Sequence, residues 1–504
     1  MVTLGSAGLE ECVRLRDDAS AELNDGGRLL LSRGSKRFAV GPLVSELTPA
    51  LDTLVAGGAS THALRALVTP GPSGAADQLD SLLERLDARG WLERALHHDG
   101  VPLVTVKPMV AKVAPAPAAA SPPEADGDDD GTVVLSRFAL LHRAGSELVL
   151  ESPRSSAVVV VHDPRVAAFV ASLATPHDVG DLDPVAFGLP LDVLHAVATV
   201  LVDAAMLVRH DDEEQATMGL AQWSLPDLLF HTRSRQGRHA NGYGATWPLK
   251  GRFPPLPMVK PPAEDGVALP RPDLAAVVAG DSSFTEVLER RQSVRMHDDA
   301  SPVTVEQLGE FLYRCAAVRH DVTAFSDGTP RPVGMARPYP TGGALYELEL
   351  YAVVNRCAGL SQGLYHYDPM EHALGVLTAG LTPALESLLQ QTCAKTGNWD
   401  RPQVLLTLTA RFGKVMYKYE AIPYATILKN VGVLYQTMYL VATSMGLAPC
   451  ALGGGDSDAF ATVAGLDYYE ETSVGEFLLG SRHDVPAARV DDAQRDLHAG
   501  KVDT

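Results

Sequence analysis

Residues 283–299 read SFTEVLERRQSVRMHDD. Ser283 followed three residues later by Glu286 has the form of a capping box, predicting a short helix that ends near the arginines. Beyond it Arg291, Ser293 and Arg295 fall on every second position, so in an extended turn their side chains converge on one side. Two guanidiniums and a hydroxyl suit a dianionic phosphate, which arginine grips bidentately. A solvated basic turn is the other reading of the same residues.

Working outward, residues 274–485 alternate helices with strong strands. Leu348–Val354 and Val404–Ala410 are strand-like, largely apolar runs. Ile427, Val431, Leu434, Met438, Val441, Ala442 and Met445 mark one long, mostly buried helix ending near Gly446. Upstream, residues 113–131 (VAPAPAAASPPEADGDDDG) lack the means to bury a core and read as an acidic linker. The segments on either side of it resemble each other. Residues 28–41 and 132–151 each open on an apolar run containing Leu-Ser-Arg (Leu31–Arg33, Leu135–Arg137). Each is followed by an amphipathic helix, one around Leu79, Leu82, Leu83 and Leu86, the other within 193–205. The expected organisation is α+β. It has a module at 1–112, the linker at 113–131, a second module at 132–212, an irregular connector at 213–273, a larger domain at 274–490 and a charged tail at 491–504. Both modules read as winged-helix-like. In the connector, Phe230–Arg235 is expected to be a structural bridge.

The chain has 504 residues, 46% hydrophobic and 21% charged, with a formal net charge of −20. Several domains are expected at this length. The charge argues against duplex nucleic acid and anionic membrane surfaces as partners, since both need a dense basic face. Five scattered cysteines without a CxxC pair fit reduced thiols, and no signal peptide or apolar membrane-length run is visible. A cytoplasmic location is expected. His297, His320, His366 and His483 lack metal-ligand spacing, so no metal is assigned.

Several ordered blocks carry a family resemblance. RQSVR at 291–295 resembles the phosphate-binding opening of nitroreductase-fold flavoproteins. YPTGGALYELE at 339–349, with GLYHYDP at 363–369, resembles the signature of SagB-type azoline dehydrogenases. KYEAIPYATILKNVGVLYQ at 418–436, ALGGGDSD at 451–458 and EETSVGEFLLG at 470–480 are similar to the cyanobactin-oxidase branch. The resemblance implies a nitroreductase-like FMN domain that oxidises thiazolines or oxazolines to azoles during maturation of a ribosomally made peptide. It implies that Arg291, Ser293 and Arg295 hold the FMN phosphate with Ser481 and Arg482. It places Pro340, Thr341, Gly342 and Gly343 near the flavin ring, and Gly453, Gly454 and Gly455 where backbone amides approach it. An azoline-containing precursor peptide, a cyclodehydratase, oxygen as electron acceptor and a homodimer are the implied partners.

Lys418-Tyr419 resembles the Lys-Tyr pair regarded as catalytic in these enzymes. Aromatising an azoline removes the ring α-proton and a hydride, so a base must work beside the flavin. A phenolate can be that base, and a neighbouring ammonium favours it. On a regular strand, however, adjacent residues point to opposite faces, so the pair can cooperate only if the backbone bends there. Asp456 and Asp458 are expected to cap the following helix, and Tyr365 and Tyr367 to pack as ordinary aromatics. An NAD(P)H:acceptor oxidoreductase and a non-catalytic scaffold of a modifying complex remain alternative functions.

Overall fold

A computed structural model describes residues 8–24, 27–33, 36–68, 74–109, 132–209, 214–237, 242–263, 265–326, 329–397 and 401–483. The linker at 113–131 and the tail at 491–504 lie outside them. The chain divides into two compact units, one ending at Asn241 and the other beginning at Gly242.

In the first unit strands from either side of the linker share one antiparallel sheet, whereas Leu29–Arg33 and Thr132–Leu135, at the look-alike runs, belong to two separate three-stranded sheets. The strands of the shared sheet run in the order Ala59–Ser60, Leu9–Leu15, Leu92–His98, Val101–Pro108, Ala157–Val161, Glu147–Glu151, Leu140–Ala144. The join is the pairing of Val101–Pro108 with Ala157–Val161, which runs from Val104–Val161 to Pro108–Ala157. The predicted amphipathic helices are Ala75–Ala88, burying Leu79, Leu82, Leu83 and Leu86, and Leu191–Asp203, burying Val193, Leu194, Val197 and Leu201. The Phe230–Arg235 stretch falls on helix Leu225–Arg233, N-capped by Ser224, and Arg233 pairs with Glu151.

In the second unit, among the described residues, a seven-stranded antiparallel sheet runs Gly266–Ala268, Ala373–Ala379, Gly363–Asp368, Leu348–Val354, Val404–Arg411, Glu471–Ser481, Leu447–Leu452. All seven residues of Leu348–Val354 are buried, as expected of a central strand covered on both faces. One face carries the helix Pro423–Ser444, which starts with proline at its first turn and stops before Gly446 at φ 69°. It buries Ile427, Val431, Leu434, Met438 and Ala442 against the sheet, together with helix Val305–Ala316. The other face carries Pro383–Thr396 and Ser457–Ala464.

Ser283 does accept from Glu286 N at 3.3 Å, but only half of the predicted capping box forms. The Glu286 carboxylate turns instead to Arg290, one helical turn on, at 3.0 Å. The full box belongs to Thr304 and Gln307.

Phe477 is fully buried under the long helix, 5.2 Å from the Tyr439 ring, 6.0 Å from Tyr435 and 6.3 Å from Phe311. Phe477→Ala should cost the C-terminal unit about 3–5 kcal/mol. Thermal melting of the full chain should show that loss as a lowered midpoint for this unit.

Candidate functional site

Strand Val404–Arg411 ends before the Lys-Tyr pair. It is followed by the five-residue helix Phe412–Met416 and a turn, where Lys418 and Tyr419 both donate their N–H to Val415 O (3.2 and 2.9 Å). The pair is therefore off the strand, and the opposite-face constraint does not apply. Both side chains arrive at one point, Gly343. A Cβ there would lie 2.5 Å from Tyr419 Oη and 2.9 Å from Lys418 Nζ, and Gly343 has φ 69°. Lys418 Nζ lies 5.2 Å from the Tyr419 ring centroid.

The Pro340–Gly343 segment is a tight turn. The Thr341 carbonyl accepts from Ala344 N at 3.0 Å, and the Thr341 hydroxyl accepts from Tyr346 N at 3.0 Å. Ala344 (φ 54°) and Tyr346 (φ 46°) both sit in the left-handed region, which costs non-glycine residues about 1–3 kcal/mol each. The turn is tied to the long helix by Asn430. Its Oδ1 accepts from Gly342 N at 3.2 Å and its Nδ2 donates to Glu347 Oε1 at 2.7 Å. Glu347 is wholly buried, and burial pushes its carboxyl up. Lys414 donates to Tyr346 O at 3.0 Å and Met258 O at 2.7 Å. Burial, with Arg411 and Arg337 nearby, pulls its ammonium down to about 8.

At the far end of the same helix, Ser293 Oγ and Tyr439 Oη are 2.7 Å apart, and Tyr439 Oη accepts from Ala451 N at 2.8 Å. The Arg291 guanidinium lies 5.3 Å from the Tyr439 ring centroid. Arg295 faces Cys450, whose thiol burial pushes up and Arg295 draws back. The three residues 291, 293 and 295 thus gather around one strand edge and one tyrosine. From Asn430 to Tyr439 the helix rises about 13 Å.

Ser481 ends the strand Glu471–Ser481, and Arg482 follows it. The Ser481 hydroxyl is engaged: it donates to Asp298 O at 2.9 Å, and its N–H donates to Gln403 Oε1 at 2.9 Å. Gln403, fully buried, also donates through Nε2 to Asp298 O (3.0 Å) and accepts from Val303 N (2.9 Å). It stitches the 297–303 segment to both strands. Of the three glycines, 453 and 454 face open space, whereas a Cβ at Gly455 would sit within 2 Å of the buried Glu476 carboxylate. Asp456 caps the next helix through Ala459 N at 2.9 Å, and Asp458 lies in its first turn. Tyr365 donates to Ser361 O and Tyr367 pairs with His372, both as core aromatics. His366 packs against Glu349 at 3.1 Å.

Asn430, Tyr439 and Gln403 escaped the sequence reading. Asn430 had a signal, a lone amide on an otherwise apolar helix face. Gln403 had none, because its partners are about 80 to 105 positions away.

These elements fit an FMN: a basic pair with a hydroxyl at one end, and at the other a glycine turn where any Cβ would collide with the Lys-Tyr pair. Residues 133–240 match the cyanobactin oxidase ThcOx family, and residues 288–480 match the nitroreductase family. The Microcin B17-processing protein McbC of Escherichia coli is 29% identical over 40% of this chain and 72% of its own length. The Trifolitoxin-processing protein TfxB of Rhizobium leguminosarum bv. trifolii is 26% identical over 30% of this chain and 40% of its own length. Among solved structures, the E. coli microcin synthetase McbBCD complex with truncated pro-MccB17 bound is 23% identical. That likeness covers 40% of this chain and 74% of that one, with a TM-score of 0.33.

Gly343→Ala should reduce turnover at least tenfold by displacing Tyr419 and Lys418, while the protein still melts as a folded chain. Steady-state kinetics beside a thermal melt separate the two effects. Lys414 gives a pH signature. Its folded value lies below 10.5, at about 8, so between those values the unfolded chain binds the extra proton and stability rises with pH. Urea midpoints measured from pH 7 to 10.5 should show that rise in the wild type, and Lys414→Met should remove this contribution.

Proposed function

We propose that this chain, a cyanobactin-oxidase segment joined to a nitroreductase-family domain, oxidises azoline rings of a ribosomally made precursor peptide to azoles, using FMN. The observation that carries the reading is the meeting of Lys418 and Tyr419 over Gly343. When bound, FMN supplies the hydride acceptor. Arg291, Ser293 and Arg295 hold its phosphate, with Tyr439 setting the Ser293 hydroxyl and Gln403 bracing the Ser481–Arg482 end. The Gly342–Gly343 turn brings the Lys-Tyr pair to the ring, and Gly453 and Gly454 leave room beside it. Tyr419 Oη takes the ring α-proton, and Lys418 Nζ keeps a positive charge beside it, a proton-transfer role worth about 10²–10⁴ in rate.

The N-terminal unit binds the leader or core of the peptide. Among the described residues its outer strand Leu140–Ala144 pairs on one side only, with Glu147–Glu151, and the open edge accepts a peptide strand by β-augmentation. A cyclodehydratase supplies the azolines, and oxygen takes up the electrons. A homodimer is supported by apolar side chains left exposed next to the phosphate loop, Val278, Phe284 and Leu288. Among the described residues no helix is long and apolar enough to cross a membrane.

The purified chain incubated with an azoline-containing peptide in air should convert each ring with loss of a hydrogen pair, read by mass spectrometry. Lys418→Ala and Tyr419→Phe should each lower that rate about 10²-fold or more while flavin remains bound. Unchanged maturation by both variants would leave a scaffold. Turnover of NAD(P)H with a quinone, without ring oxidation, would make the chain a reductase.

A further inference from the structure

Residues 242–258, rich in Gly and Pro, run alongside the turn that carries Lys418 and Tyr419. Gly244 and Glu420 exchange backbone hydrogen bonds in both directions, at 3.1 and 3.0 Å. The Thr246 hydroxyl donates to Glu420 Oε2 at 2.9 Å. Next comes Trp247, whose N–H donates to Lys418 O at 3.1 Å. Lys418 and Glu420 are thereby fixed to this strap through main-chain atoms, whatever side chain stands at 247.

Trp247 has φ 58°, a conformation that glycine or asparagine fills cheaply and bulky side chains avoid. The indole held there is 45% exposed, so the strain is not returned as core packing. Its ring lies 5.7 Å from Lys418 Nζ and meets Tyr417 edge-on at 6.2 Å. A large flat aromatic, kept open beside the Lys-Tyr pair at a conformational cost, is a surface for something planar. The planar group that Lys418 and Tyr419 act on is the five-membered ring of the substrate.

We propose that Trp247 is a specificity-determining residue, the face on which the azoline ring of the peptide stacks while Lys418 and Tyr419 work on it. This rests on the azoline-oxidase reading above. The indole gives affinity for the planar ring over an uncyclised cysteine, serine or threonine at the same position, and so selects heterocyclised segments of the peptide.

The test uses full-length wild type, Trp247→Asn and Trp247→Phe with one azoline peptide. Asparagine keeps the left-handed backbone and removes the ring, whereas phenylalanine keeps a stacking face. The Asn variant should raise KM about three- to tenfold with kcat within about twofold, and the Phe variant should recover most of that loss. Flavin absorbance and oligomeric state should stay as in wild type. A fall in kcat at constant KM would overturn the proposal and make Trp247 a positioning residue for Lys418. A shift to monomer would overturn it in favour of a subunit interface. Unchanged kinetics of the Asn variant, with wild type active, would sink this proposal alone. Wild type inactive on azolines would remove it together with the reading beneath it.

Discussion

The missing side chain at Gly343 is the constraint on which the site depends. Tyr419 Oη and Lys418 Nζ occupy the space a Cβ would take, at 2.5 and 2.9 Å. Contacts that short force a choice between a side chain at 343 and the meeting of the pair. The chain takes the second, and then holds the turn firmly enough to keep Ala344 and Tyr346 at positive φ. What holds it is Asn430, whose amide spans from Gly342 N to the buried Glu347. A satisfied amide bridge inside an apolar helix face is worth more than its hydrogen bonds alone, because losing it would strand a buried carboxylate and a backbone N–H.

The long helix makes this local arrangement part of a larger one. Its N-terminal half carries the Asn430 anchor. Its C-terminal half carries Tyr439, which sets Ser293 and the end of strand Leu447–Leu452. One rigid element therefore fixes the distance between the basic cluster and the glycine turn. Its own position is fixed by Ile427, Val431, Leu434, Met438 and Ala442 against the sheet and by Phe477 below. Core packing and site geometry are in this way one problem, and a void under the helix would be felt at both ends of the site.

Much of the frame was legible in the amino-acid sequence. Leu348–Val354 was readable to the residue because a strand covered on both faces leaves a run that is apolar but for Glu349. The long helix was readable from its apolar period, and Gly446 marked its stop. The Lys-Tyr pair was legible as residues but not as geometry, since a five-residue helix is too short to show a period and hid the bend after Arg411. The continuous sheet through the N-terminal unit was hidden for another reason. It forms where Val101–Pro108 meets Ala157–Val161, about 50 positions apart, and neither strand's own pattern names its partner. Gln403 shows the same limit: its ties to Asp298 and Ser481 are purely tertiary. Trp247 lay in a stretch whose glycines and prolines signalled a connector, and those same residues are what let the strap lie close to Glu420.

The most direct measurement is the absorption spectrum of the purified, FMN-loaded chain under strict anaerobiosis, recorded as an azoline peptide is added. The account predicts an oxidised-flavin spectrum that bleaches with peptide alone, in proportion to the rings converted. A flavin that bleaches with NAD(P)H and stays oxidised with peptide, or a chain that takes up no FMN, would contradict it.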